Sequence, residues 1–254
     1  MRTAVQLGFN GHGVFGRRPT TDLDGVLGLA ADAGFDGVEP MGDVAGAPGA
    51  AALLRRSRLR VPVLHLFLAD VADPGDRRRW TDVLGGLDCP ALALSAFGME
   101  QSADGYHRLA DDLGAVREDV RRAGADLMFH PHDAEMSVVA DDGRRGTDVL
   151  TGDLPDLRLI VDAYWATRAG LDPAEAISRN AARSGYYHLK DGDASGGTEF
   201  GRGTVPMRAC LRAAAAAGPG GWVVLEQEKP ATDAPGVLRR FQRAVADVMQ
   251  ESPT

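Results

Sequence analysis

DLMFHPHDAEM, residues 126–136, begins as a short apolar run and ends in two histidines and two carboxylates. In an extended chain His130 and His132, two residues apart, point to the same face. Glu135 follows where the strand should give way to a loop. The same pattern recurs along the chain: an apolar run, a polar residue, a Gly/Pro/Asp turn, then an Ala/Leu-rich amphipathic stretch. The strand candidates are TAVQLGF (3–9), FDGVE (35–39), VPVLHLF (61–67), ALALSAF (91–97), DLMFH (126–130), LRLIVDAYW (157–165), GYYHLKD (185–191) and WVVLEQE (222–228). Helical stretches lie between them. TDLDGVLGLAADAG (21–34) carries Thr/Asp capping signals and closes on Gly34. ADGYHRLADDLGAVREDVRRAG (103–124) and DPAEAISRNAARSG (172–185) have the same form, the latter with Pro173 in the first turn, where its missing N–H does no harm. AAAAAG (213–218) reads as the end of a helix.

Strands alternating with helices imply a parallel sheet with crossover helices. Eight such units in 254 residues match a closed (β/α)₈ barrel, with a doubly wound open sheet as the competing architecture. No Pro/Ser-rich linker or shift in composition divides the chain, so residues 1–254 are expected to form a single domain.

Apolar residues make up 44% and charged residues 25%, as in ordinary globular proteins. A formal net charge of −8 argues against an enzyme that grips nucleic acid, which needs a basic surface, and no membrane partner is expected. No run approaches the ~18 consecutive apolar residues of a membrane span, and MRTAVQLGFN has no signal-peptide character. Cys89 and Cys210 fit neither a CxxC motif nor a disulfide framework. A cytoplasmic protein with two semi-buried thiols is expected, and a homo-oligomer is compatible with all of this.

The polar residues interrupt these strands at one end. Glu39 ends the second, His65 sits late in the third, and His130, His132 and Glu135 end the fifth. Asp162 lies late in the sixth, His188 and Lys190 in the seventh, Glu226 and Glu228 in the eighth. In this barrel, catalytic groups collect at the C-terminal strand ends. Glu39 could instead cap the next helix, and His65 alone reads as a core histidine. Asp162, between LRLIV and AYW, needs a cation or an opposite charge if buried. Several carboxylates at one barrel mouth repel each other unless a divalent cation sits among them.

In order and spacing, FHPHDAEM, IVDAYWATRAGLDP, YYHLKDG and VVLEQE resemble the sugar phosphate isomerase/epimerase family, of the xylose-isomerase-like TIM-barrel group. LAADAGFDGVE, ending at Glu39, resembles its second βα unit. The resemblance implies one divalent metal on Glu135, Asp162, His188 and Glu226, with Glu228 in reserve. Pro131 stands where the commoner pattern has Asn, and FGRGTVPM (200–207) carries Arg202 and lacks the usual acidic residue. The Gly-rich SGGTEFGRG (195–203) reads as a lid or as an amide cradle for an anion.

Three oxygen donors and an imidazole suit Mn²⁺ best, with Mg²⁺, Co²⁺ or Zn²⁺ tolerated. The expected reaction is isomerisation or epimerisation of a keto-sugar or keto-cyclitol through an enediolate, with Glu135 and Glu226 as the acid/base pair. His65, His130, His132, Lys190, Glu39, Trp165 and Arg202 are the candidate substrate contacts, with Phe67 beside Trp165 as an apolar wall. The same site suits a lyase: dehydration of an inosose, or glycoside cleavage on an oxidised sugar. A non-catalytic sugar-binding subunit is the remaining reading. The net charge counts against a DNA-repair phosphoesterase on this fold.

Overall fold

In the computed structural model, which describes residues 1–8, 11–218 and 220–251, the strands follow the expected order. They are β1 (Arg2–Leu7), β2 (Gly37–Pro40), β3 (Leu64–Phe67), β4 (Ala91–Ser95), β5 (Asp126–Phe129), β6 (Arg158–Leu159) and β7 (Val161–Asp162). β8 (Tyr186–Lys190), a small hairpin of β9 (Gly192–Asp193) and β10 (Gly196–Gly197), and β11 (Trp222–Glu226) complete the set. Phe9, expected in the first strand, lies outside the described residues.

The parallel sheets β2-β1-β11-β8-β7 and β3-β4-β5-β6 meet at two seams. At one, β6 and β7 are two halves of a single strand, separated only by Ile160, whose N–H donates to the Phe129 carbonyl at 2.8 Å. At the other, Val38 N–H donates to the Arg60 carbonyl at 2.9 Å, and isolated parallel bridges pair Gly37 with Arg60 and Met41 with His65. The sheet therefore closes. It is a (β/α)₈ barrel, and the open doubly wound sheet is excluded.

The helices are α1 (Arg18–Thr21), α2 (Leu23–Asp32), α3 (Gly42–Ala45), α4 (Ala50–Arg56), α5 (Pro74–Gly86) and α6 (Ala103–Arg122). They continue with α7 (Gly146–Asp153), α8 (Ala163–Arg168), α9 (Pro173–Arg179), α10 (Met207–Ala216) and α11 (Ala234–Glu251). None is long and apolar enough to cross a membrane. Local chemistry sets their ends. Ser102 caps α6 by accepting from Gly105 N–H at 3.1 Å, and Tyr106, Leu109, Leu113, Val116 and Val120 form its buried stripe. Asp172 caps α9, which starts at Pro173 as expected but stops at Arg179, before Gly185.

One expectation fails here. Trp165 is not a strand residue: Asp162 ends β7 and caps α8, accepting from Trp165 N–H at 2.8 Å. Because an N-cap residue keeps an extended backbone, one aspartate serves both elements, and the run VDAYW hides the boundary.

Inside the barrel the strands alternate with period two. Ala4, Val63, Ala91, Ala93, Met128, Ile160, Tyr186, Trp222 and Val224 pack together in the interior. Their neighbours in sequence, such as Val5, Leu64, Leu92, Leu189 and Val223, pack in the larger core. Cys89 and Cys210 are buried and unpaired, and burial pushes both thiols up to about 12. Neither is expected to react with a disulfide reagent at pH 8 until denaturant is added, when both should titrate; rapid labelling of the native protein would contradict their burial.

Candidate functional site

Continuing the inward alternation of each strand by one step toward its C-terminal end produces a second layer, and it is polar. Every barrel strand contributes one residue: Gln6, Glu39, His65, Ser95, His130, Asp162, His188 and Glu226. All but Glu226, which is half-buried, are buried. Their chemistry falls into two halves.

The first half is a saturated hydrogen-bond hub around Glu39. Its Oε1 accepts from Gln6 Nε2 at 3.0 Å and faces His65 Nδ1 at 2.8 Å. Its Oε2 accepts from Tyr186 Oη at 2.7 Å and faces His188 Nε2 at 2.9 Å. Burial opposes its charge, but His188 and His65 outweigh burial and hold the carboxyl well below the usual carboxylate range. His65 is engaged at both ring nitrogens, its Nε2 lying 2.9 Å from Ser95 Oγ. Glu39, expected to contact substrate, is fully buried with both oxygens occupied. One of those oxygens faces His188, the arrangement in which an outer carboxylate fixes the orientation of an imidazole. It does not cap the next helix either, since Met41 precedes α3. Tyr186→Phe is expected to cost about 1.5–3 kcal/mol in denaturant unfolding, the value of a buried hydrogen bond to a charged group.

The second half is only partly satisfied. His130, Asp162, His188 and Glu226 each offer one ligand atom, all within 4.8 Å of one another. Glu226 Oε2 lies 2.5 Å from His188 Nδ1 and 3.7 Å from His130 Nε2, which is 3.9 Å from Asp162 Oδ2. Both His130 Nε2 and Asp162 Oδ2 are buried without a hydrogen-bond partner. Burial and the neighbouring Glu226 push the Asp162 carboxyl up to about 7. Burial opposes charge on His188 too, yet Glu39 and Glu226 outweigh it and carry the imidazole to about 10. Burial and His188 keep His130 well below the normal histidine range, hence neutral. A neutral imidazole with an orphaned nitrogen beside an orphaned carboxylate oxygen is a donor set for a divalent cation. The cluster is a candidate divalent-metal site.

Glu135 stands apart from this group. The chain turns directly after Pro131, and Glu135 Oε2 folds back to accept from His132 N–H at 2.6 Å, 3.7 Å from His132 Nδ1. In the structure His130, not Glu135, completes the four-residue cluster.

Above the cluster opens a cavity of about 240 Å³, lined among others by His130, His132, Trp165, Lys190, Glu226, Gln227 and Phe97. A larger cavity, about 710 Å³, lies at the opposite mouth among strand starts such as Arg2, Pro62 and Trp222, away from the ionisable cluster. Lys190 Nζ donates to Glu226 Oε1 at 3.3 Å and lies 4.4 Å from the Trp165 ring centroid. Burial works against its charge, but Glu226, Asp162 and Glu228 raise the ammonium above its ordinary value. His132 Nδ1, Trp165 Nε1 and Gln227 Oε1 are further buried polar atoms without hydrogen-bond partners. A cavity lined by such atoms suits a hydroxyl-rich ligand.

Arg202 is exposed and outside the cavity lining. Its Gly-rich segment is neither a loose lid nor an open amide cradle. Asp191 Oδ2 accepts from Gly201 and Gly203 N–H at 2.8 and 3.0 Å. Glu228, the reserve ligand, accepts from Gly197 N–H at 2.8 Å. The sequence reading passed over Gln6, Ser95, Phe97 and Gln227. Gln6 and Ser95 interrupt apolar strands near their C-terminal ends, the same signal that singled out His65 and Asp162.

Several solved structures share this architecture. A sugar phosphate isomerase/epimerase from Parabacteroides distasonis ATCC 8503 is 16% identical, with a TM-score of 0.75 over 97% of this chain and 94% of that one. A 3-keto-D-glucoside 4-epimerase from E. coli is 19% identical, with a TM-score of 0.71 over 98% of this chain and 99% of that one. The IOLI protein with a bound zinc atom is 15% identical, with a TM-score of 0.73 over 100% of both chains. At such identities the likeness is one of fold. Among curated proteins no sequence match is found. The family model for the xylose isomerase-like TIM barrel matches residues 27–244, nearly the whole barrel, and the chain belongs to that family.

Proposed function

We propose that the protein is a divalent-metal-dependent isomerase or epimerase that moves a proton next to the carbonyl of a keto-sugar or keto-cyclitol. The observation that carries this reading is the cluster His130/Asp162/His188/Glu226, with His130 Nε2 and Asp162 Oδ2 orphaned, at the floor of a cavity with further orphaned polar atoms in its wall. The similarity in fold to a 3-keto-D-glucoside 4-epimerase and to a zinc-bound barrel agrees with it.

His130, Asp162, His188 and Glu226 would hold the cation. When bound, it supplies Lewis acidity toward the substrate's carbonyl and neighbouring hydroxyl oxygens. Lys190 and His188 hold Glu226 ionised, well below the usual carboxylate range, against the cost of its burial. Glu226 takes the proton from the carbon next to the carbonyl; the C–H electron pair becomes a carbon–carbon double bond and the carbonyl π pair moves onto the oxygen. Across the barrel, His132 lines the cavity with Glu135 behind it. It returns a proton to the opposite face, which inverts the centre. Return to the adjacent carbon gives isomerisation. Trp165 and Phe97 wall the ring off from water, and Gln227 meets its hydroxyls.

Incubating metal-loaded protein with candidate keto-sugars and keto-cyclitols in heavy water should wash deuterium into the carbon beside the carbonyl. Product formed without exchange, by a hydride moving between carbons, would overturn the mechanism.

A further inference from the structure

We propose that the groove between the β3 and β4 loops is a second subsite of this cavity, and that it takes a flat apolar substituent, an aryl aglycone, on the sugar ring. The inference rests on the proposed function, since it names the substrate class of that same site.

The cavity over the ionisable cluster measures about 240 Å³. Small-molecule pockets run from ~300 to 1,000 Å³, so it holds a single sugar ring and little more. Beside it a second cavity of about 430 Å³ opens, with Leu68, Val71, Met99 and Val116 in its walls. The two share Phe67, Ser95 and Phe97, so they are neighbouring compartments with one common wall.

Phe97 stands on that wall. It is 65% exposed, the one exposed aromatic side chain among the described residues. Its ring centroid lies 5.6 Å from Phe67, tilted 47°, and 4.7 Å from His132. Tilted rings at this separation leave faces and edges to which a third ring can pack. An apolar ligand there removes Phe97 from water, and removal of apolar area from water drives binding.

The groove does not suit a phosphate. Its cation, Arg77, donates to Asp119 at 2.7 Å and to the carbonyls of Val71 and Ala72 at 3.3 and 3.1 Å. Its guanidinium is committed to the fold, the lining carboxylate of Asp112 repels an anion, and apart from these and Ser95 the walls offer apolar side chains. A substituent reaching from the polar layer past Phe97 therefore meets hydroxyl-binding groups at one end and hydrocarbon at the other.

Methyl β-D-glucopyranoside and phenyl β-D-glucopyranoside, which carry no ketone and do not react, serve as equilibrium probes by calorimetry. The phenyl glycoside should bind at least ~10-fold tighter, about 1.4 kcal/mol. Ala115→Trp, on the exposed face of α6 that lines the groove, should bring the ratio close to one without weakening the methyl glycoside. Equal affinities in the wild type, or a ratio that survives Ala115→Trp, overturn the subsite. Deuterium wash-in from the keto forms of both glycosides reads the chemistry separately. A phenyl preference with no wash-in from either supports the groove and refutes the proposed reaction. Wash-in from both with identical KM refutes the groove and leaves the reaction standing.

Discussion

Asp162→Asn is expected to abolish retention of a divalent ion and, at pH 8, to make the metal-free protein more stable than the wild type. Asp162 is fully buried, its Oδ2 has no hydrogen-bond partner, and Glu226 lies in the same cluster. An ionised carboxylate so placed is favourable only when a cation joins it. Asparagine keeps the oxygen that caps α8 and removes the charge. The gain should be about 1–3 kcal/mol, since burying an uncompensated charge costs more than burying the neutral amide, or roughly 2–4 °C in Tm per kcal/mol at this chain length.

The pH dependence has a definite sign. The Asp162 carboxyl is pushed up from 3.8 to about 7 by burial and by Glu226. The fold therefore binds this proton more tightly than the unfolded chain does. The wild type loses that contribution as pH rises from about 4 to about 7, so the variant's advantage should be full at pH 8 and absent near pH 4. Added Mn²⁺ or Zn²⁺ should reverse the ranking by raising the Tm of the wild type alone. Metal analysis and thermal unfolding of both proteins at the two pH values check this. A variant that is less stable at pH 8 without metal would show that Asp162 is held by its neighbours rather than by an ion.

The barrel was legible because two periodicities agree in the chain. Apolar strands alternate with capped amphipathic helices, and the polar interruptions fall at one end of each strand. Residues whose direction the strand itself fixes, such as Asp162, His188 and Glu226, lie in one cluster. Residues beyond a strand end were harder to place. Glu135 sits five residues from His130, but a turn after Pro131 rotates it onto the His132 N–H, and no period predicts the path of a turn. The Gly-rich stretch around Arg202 misled for a related reason. Its glycines allow a lid, but the buried Asp191 carboxylate accepts from two of their amides and Glu228 from a third, which ties it down. Ser95 and Gln6 escaped notice because neither carries charge, although each stands at the same level of the barrel as the histidines.

Glu226→Gln and Glu135→Gln should separate the two glutamates by orders of magnitude. Glu226 lines the cavity, belongs to the candidate metal cluster, and is kept ionised by Lys190 and His188 against the cost of burial. Its amide can neither accept a proton from carbon nor contribute a charge to a cation. Turnover and solvent exchange should fall by ~10²–10⁴, the usual value of a positioned general base, and metal should be lost as well. Glu135 has its carboxylate on the His132 backbone and lies outside the cavity lining. A glutamine there still accepts the His132 N–H, so metal content should stay at the wild-type level. What changes is the charge 3.7 Å from His132 Nδ1. His132 must carry the proton as an imidazolium before delivering it, and removing that charge makes the loaded form harder to reach. The cost should be nearer ~10-fold, below the range for a general base itself. It should fall on kcat rather than on KM, because the protonated imidazole serves the transfer step and not the binding of the substrate. If Glu135→Gln instead loses its metal, the loop after β5 must rearrange when the cation binds, bringing Glu135 into the ligand set that the family resemblance implies.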